Sequence, residues 1–293
     1  MNISIEALEK TYPNGRKALS NINLEIESGM FGLLGPNGAG KSTLMRILVT
    51  LLEPTGGRVR VNGMDLIKER GAIRSILGYL PQDFKCFSRL SAAEFLDYTA
   101  VLAGMHDKAA RRRAVEEMLT KVGLFDARDR MASQLSGGMK RRLGIAQALI
   151  GNPQLVIVDE PTTGLDPEER IRFRNLIGAM SLHDLIIIFS THIVGDISNT
   201  CRSVALLSSG QLAYCGAPDE LIRQAEGHVF RTFVRENELQ SVKQRHMVVA
   251  AISAAGGWHV EMVARQGEDL SGEPVKPNLE HAYAYFMGKN DDV

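Results

Sequence analysis

Eight consecutive residues, Gly35-Pro36-Asn37-Gly38-Ala39-Gly40-Lys41-Ser42, constrain this chain more than any other segment. They match G-x-x-x-x-G-K-[ST], a loop whose backbone N–H groups converge on phosphate, and the pattern has meaning only between a buried strand and a helix. Both flanks are present. Met30 to Leu34 is an apolar run of strand length, and beyond Thr43 the residues Leu44, Ile47, Leu48 and Leu51 recur on one helical face. Glycines at 35, 38 and 40 let the backbone approach an anion closely, and the N-terminus of the following helix adds its partial positive charge. Lys41 is placed to reach the β and γ phosphates and Ser42 to ligate Mg²⁺. Residues 35 to 43 together form the candidate nucleotide-binding loop.

Such a loop needs a carboxylate at the end of a second buried strand. Leu155-Val156-Ile157-Val158-Asp159-Glu160 supplies two. Asp159 is placed to hold Mg²⁺, directly or through water, and Glu160 to orient and deprotonate an attacking water. Adjacent acids ending a buried strand are costly to desolvate unless a cation compensates them, which disfavours a purely salt-bridged strand end.

The remaining pattern predicts an α/β fold. Before residue 62, short runs alternate apolar and polar, as in Ile22, Leu24, Ile26 and again Val59, Val61, with Asn14-Gly15 and Gly56-Gly57 as turn signals; these predict antiparallel strands. Leu155 to Val158 and Leu185 to Phe189 are unbroken apolar runs, expected of strands buried on both faces of a parallel sheet. Between the antiparallel strands and these runs, Phe95, Leu96, Thr99, Leu102, Ala103 and then Ala114, Val115, Met118, Leu119, Val122 recur at helical spacing, predicting a helical subdomain over about 87–152. Arg111-Arg112-Arg113 precede Glu116 and Glu117 on one helix face, which points to a solvated face rather than a nucleic-acid contact. After Gly227 the pattern predicts a strand over Val229 to Val234, a helix, a hairpin around Gly256-Gly257 and a closing helix over Leu279 to Met287. The expected architecture is a P-loop NTPase (RecA-like) core with an antiparallel β subdomain and an inserted helical subdomain over 1–226, followed by a small α+β accessory domain over 227–293.

Lys and Arg number 34, as do Asp and Glu, so net charge gives no reason to expect nucleic acid as a partner. The cysteines Cys86, Cys201 and Cys215 lack metal-type spacing, and no apolar stretch approaches the ~20 residues of a spanning helix, so a cytoplasmic location is expected.

A loop and a strand-end acid alone leave several nucleotide-hydrolysing classes open. The discriminating run is Leu135-Ser136-Gly137-Gly138-Met139 before a helix expected over Lys140 to Ile150; it resembles the ABC signature, another cradle in which a Ser at a helix start and two glycines expose N–H groups to phosphate. The resemblance covers roughly Ile3 to Arg223 and implies ATP and Mg²⁺ as cofactors. In that family the phosphate facing Ser136, Gly137 and Gly138 belongs to ATP held by a second ATPase subunit, so a dimer is implied. Tyr12 resembles the aromatic that stacks on adenine. Gln82 resembles the Q-loop glutamine near Mg²⁺ and the attacking water, and the residues after it resemble the contact with a membrane permease. Asp166, in Gly164-Leu165-Asp166-Pro167, resembles the D-loop at the dimer and also reads as a helix N-cap with Pro167 at the first helical position. His192, in Ser190-Thr191-His192, resembles the switch histidine that contacts the γ-phosphate. Met139 and Gln147 depart from the Gln and Arg common in the family but remove no phosphate donor.

Family members outside transport usually carry paired cassettes or long coiled coils, and neither pattern is present. The tail Pro277-Asn278-Leu279-Glu280-His281-Ala282-Tyr283 resembles that of bacterial exporter ATPases whose permease is a separate chain, so an export subunit on the cytoplasmic membrane face is expected.

Overall fold

A computed structural model of the protein describes all residues except 181–184, 198–199, 266–267, 269 and 291–293. Strands β1 (Asn2–Thr11) and β2 (Lys17–Glu27) form the hairpin expected at Asn14-Gly15, and their alternation buries Ile3, Ile5 and Leu8 against Leu19, Ile22, Leu24 and Ile26. Strand β3 (Gly29–Leu34) is buried throughout and delivers the chain to the candidate loop, after which helix α1 (Lys41–Leu48) begins. The predicted helical face stops short of Leu51, which is 65% exposed. Thr50 turns into the left-handed region at φ 60°, and the Leu51 and Leu52 N–H groups both return to the Arg46 carbonyl, ending the helix.

Strands β4 (Gly56–Val61) and β5 (Met64–Asp65) complete an antiparallel sheet of order β2-β1-β4-β5. Gly56-Gly57 is not the predicted turn; the two residues open β4. Gly57 sits at φ 77° in a register shift opposite Ala7, where a Cβ would collide with the Ala7 carbonyl. Helix α2 (Arg70–Ser75) then leads to β6 (Leu77–Leu80).

The helical segment consists of α3 (Ala92–Leu102), α4 (Lys108–Lys121) and α5 (Gly137–Leu149). A Ser91–Glu94 capping box starts α3, and the Asp107 carboxylate caps α4. Arg111 pairs with Asp97 at 2.6 Å and Arg112 with Glu116 at 3.0 Å, so these two arginines of the basic triplet serve helix packing and a surface pair. The main sheet follows with β7 (Leu155–Asp159), α6 (Pro167–Met180), β8 (Ile186–Thr191), β9 (Ser203–Ser208), β10 (Gln211–Gly216) and α7 (Pro218–Arg223). Its order is β10-β9-β3-β8-β7-β6, parallel except for β10 at one edge. β7 and β8 are buried along their whole length, as their unbroken apolar runs require. The loop after β3 and the acids ending β7 therefore lie at the same, C-terminal edge of the sheet.

Beyond Gly227 come β11 (Val229–Arg235), α8 (Leu239–Arg245), β12 (Met247–Ala254), β13 (Gly257–Val263), β14 (Glu273–Pro274) and α9 (Leu279–Asn290). The strands form an antiparallel sheet of order β12-β13-β11-β14 with its own apolar cluster around Val234, Val260 and Met262. Leu279, Ala282 and Tyr285 of α9 join the main core instead, in one cluster with Val194, Ile197 and Leu221. Asn278 caps α9 by accepting from His281 N at 2.9 Å, and His281 Nδ1 accepts from Asn278 N at 3.2 Å. His281 Nε2 lies 3.0 Å from Glu261, which also accepts from Arg231 at 2.6 Å. That arginine, more than any other neighbour, holds the Glu261 carboxyl below its ordinary range.

Candidate functional site

Backbone geometry shapes the loop before any side chain does. Gly40, the residue capping α1, sits at φ 105°, and a Cβ there would stand 2.7 Å from Ala18 O and 2.9 Å from Leu19 Cδ2. At Gly35 a Cβ would collide with the Leu207 carbonyl. From the far side, Gly210 N donates to Ala39 O at 3.0 Å. Lys41 is folded back into this loop, 4% exposed, with Nζ donating to Gly35 O at 2.7 Å and Pro36 O at 3.1 Å and standing 3.6 Å from Glu160. Burial pushes the Lys41 ammonium below its ordinary pKa, opposed by Glu160 and Asp159.

A cleft of about 290 Å³ opens over the loop, lined by Asn37, Gly38, Gly40, Lys41, Ser42 and Thr43 on one side and by Tyr12, Arg16, Ala18, Gln82 and Glu160 around them. Tyr12 is anchored to the start of α1 by a 3.2 Å hydrogen bond between its Oη and Thr43 Oγ1.

The two acids are positioned by a neighbouring strand. β7 and β8 pair with Asp159 opposite Ser190, and Ser190 Oγ donates to Asp159 Oδ1 at 2.5 Å while accepting from Glu160 N at 3.0 Å. Glu160, the first residue off the strand, adopts φ 42°. Its Oε2 accepts from Gln82 Nε2 at 3.2 Å and Thr163 Oγ1 at 3.4 Å, and lies 3.3 Å from His192 Nδ1. Gln82, Lys41 and His192, three residues from separate elements, thus meet on one carboxylate. Burial raises the Asp159 pKa, partly offset by the Ser190 hydrogen bond. A buried acid held against its own ionisation is the observation that fits a hard divalent cation, and Ser42, Gln82 and Asp159 could together present oxygen donors to Mg²⁺.

The other candidate residues lie elsewhere. Ser136 caps α5, its Oγ accepting from Met139 N at 3.2 Å, so the helix starts at Gly137 rather than at the predicted Lys140. Ser136 and Gly137 are exposed, while Gly138 is buried against Glu169, where a Cβ would meet Oε2 at 2.5 Å. Asp166 is also exposed and caps α6, accepting from Glu169 N at 2.9 Å. Neither Ser136 to Gly138 nor Asp166 lines the cleft of its own chain.

Three residues at the site escaped the sequence pattern. Ser190 could be found only from the register of β7 against β8. Arg141 of α5 donates to Pro81 O at 3.2 Å, tying the signature helix to the residue before Gln82. Arg16 follows the Asn14-Gly15 turn and carries no motif of its own.

The family profile described as ABC transporter matches residues 19–163. An uncharacterized ABC transporter ATP-binding protein, YxlF of Bacillus subtilis, is 36% identical over 251 residues, covering 85% of this chain and 82% of its own length. The daunorubicin/doxorubicin resistance ATP-binding protein DrrA of Streptomyces peucetius is 34% identical, covering 85% and 74%. The methionine import ATP-binding protein MetN of Corynebacterium diphtheriae is 35% identical, covering 79% and 71%. A solved dimeric ATP-binding cassette, in a post-hydrolysis state bound to ADP and Pi, superposes with a TM-score of 0.67 at 27% identity, covering 73% of this chain and 98% of that one.

Proposed function

This chain belongs to the ABC transporter family as an ATP-binding subunit and is an ATPase, and from that premise we propose that two copies close over two ATP molecules to move a substrate through a separate membrane permease. The carrying observation is the division of the site. Lys41, Gln82 and Glu160 share one cleft, whereas Ser136 and Gly137 are exposed outside it at the start of α5, where a helix N-terminus suits a phosphate held by another chain.

In this reading the loop amides and Lys41 offset the polyphosphate charge, Tyr12 stacks on adenine, and Glu160 deprotonates the attacking water. Gln82 and His192 hold the Glu160 carboxylate and stand at the γ-phosphate end. Ser42, Asp159 and Gln82 would hold Mg²⁺, which would supply positive charge against the polyphosphate. Asp166 lies at the dimer contact. Residues 1–226 form the ATPase unit, with the helical subdomain over about 87–152, and 227–293 the accessory domain.

The residues after Gln82 suit a permease contact. Phe87, Tyr98 and Leu102 are 57%, 45% and 70% exposed, and Phe87 packs edge-on to Tyr98 at 5.7 Å. Such a cluster is costly in water and fits an apolar partner. Arg141, holding Pro81, couples this surface to the signature helix. No described helix is long and apolar enough to cross a membrane. In this reading the bilayer path belongs to the permease and this chain works on the cytoplasmic face. Likeness to a drug-resistance protein and the closing Pro277 to Tyr283 segment favour export over the import that MetN is named for.

Mixing two inactive variants tests the shared site. Lys41→Ala lacks the loop lysine and Ser136→Glu blocks the signature, yet a mixed dimer retains one intact composite site. Partial recovery of ATPase on mixing is expected; no recovery at any ratio would contradict the arrangement.

A further inference from the structure

The hairpin that carries Tyr12 also brings a second cation to the cleft. Arg16 lies in the connection between β1 and β2, lines the cleft, and faces the loop so closely that a Cβ built on Gly38 would stand 3.7 Å from its Nη2. Its backbone is stitched in place. Tyr12 N donates to Arg16 O at 2.9 Å, Gly15 N to Tyr12 O at 2.9 Å, and Arg16 N to Asn14 Oδ1 at 3.1 Å. The hairpin therefore fixes Arg16 relative to the aromatic.

Neighbouring cations are already committed. Lys17 pairs with Glu9 at 3.2 Å, Lys10 donates to Glu53 O at 2.6 Å, and Lys41 is divided among Gly35 O, Pro36 O and Glu160. Among the described residues no acid or carbonyl takes the Arg16 guanidinium. The cleft lining carries one other cation, Lys41, against the carboxylate of Glu160, so a polyanion bound there gains from a further positive charge. An uncommitted guanidinium beside Gly38 in the same cleft, with paired donors suited to phosphate oxygens, supplies that charge.

We infer that Arg16 binds the polyphosphate of the nucleotide alongside the loop at Gly38, so that the hairpin grips base and phosphate together and discriminates phosphorylated nucleotides from nucleoside. This rests on the reading of the cleft as the ATP site. A guanidinium that merely stabilised the hairpin would affect every ligand alike.

The test is the affinity of the full-length chain for ATP, ADP and adenosine, measured for wild type, Arg16→Ala, Arg16→Lys and Lys41→Ala. Arg16→Ala should weaken ATP and ADP about ten-fold, the scale of one charge-assisted contact, with adenosine unchanged. The deficit should shrink between about 0.1 M and about 1 M salt, and Arg16→Lys should restore part of it. An ATP affinity within two-fold of wild type, or an equal loss for adenosine, would overturn the role of Arg16. If Lys41→Ala weakens ATP and Arg16→Ala does not, only this inference falls. If neither does, the cleft is not the ATP site and both readings fall.

Discussion

Replacing Glu160 with Gln should act in opposite directions with and without ATP. Glu160 stands 3.6 Å from Lys41, with side chains 8% and 4% exposed, so solvent screens the pair weakly. At an effective dielectric near 20, two unit charges at that separation interact by about 4–5 kcal/mol. Lys41 keeps Gly35 O and Pro36 O as acceptors, and its ammonium, already pushed down by burial, can shed its proton more readily once the acid is gone. The net loss of stability should therefore fall to about 2 kcal/mol, below the 3–5 kcal/mol of an uncompensated broken buried pair. With ATP bound, phosphate replaces the missing carboxylate and no longer faces its negative charge. ATP should bind the variant at least as tightly and stabilise it by about 2 kcal/mol more than wild type. Hydrolysis should drop by roughly 10²–10⁴-fold, the usual contribution of a positioned base. Thermal melts with and without ATP check the first part and single-turnover hydrolysis the second. Equal ATP-induced stabilisation in the two proteins would refute the Lys41 argument, and hydrolysis within about ten-fold of wild type would remove Glu160 as the base.

Asp159→Asn should make the nucleotide-free chain more stable at neutral pH while abolishing Mg²⁺-dependent ATPase. Burial raises the Asp159 pKa, so as pH climbs past the ordinary 3.8 the unfolded chain ionises before the folded one and stability is lost; Asn avoids this. Melting curves against pH should show the variant's advantage vanishing below that value, and a wild type as stable as the variant at neutral pH would contradict the burial argument. Asn278→Ala removes the acceptor for His281 N at the start of α9 and should cost about 1 kcal/mol in chemical denaturation. An unchanged midpoint would mean that the cap carries no weight.

What could be read in advance follows from where the information lies. The loop from Gly35 to Ser42 and the run ending at Asp159-Glu160 are local patterns whose flanking strands are required by the chemistry, so their meeting at one sheet edge was legible. Ser136 is the helix start because its hydroxyl caps Met139 N, and the two glycines after it, poor helix formers, made Lys140 look like the first helical residue. Leu51 keeps helical spacing, but positive φ at Thr50 takes it out of the helix. Gly56-Gly57 has the composition of a turn, yet Gly57 is needed for its fit against Ala7. Ser190, Arg16 and the Arg231–Glu261–His281 chain depend on pairings between distant elements, which no single-segment pattern carries.

The central claim, that ATP hydrolysis by this chain drives a membrane permease, is tested most directly by purifying tagged Glu160→Gln protein from detergent-solubilised native membranes with ATP present and identifying what accompanies it. A multispan membrane protein at a fixed ratio to the ATPase is the expected result. A soluble dimer alone, or one carrying ribosomes or DNA, would leave the ATPase standing and contradict the transporter.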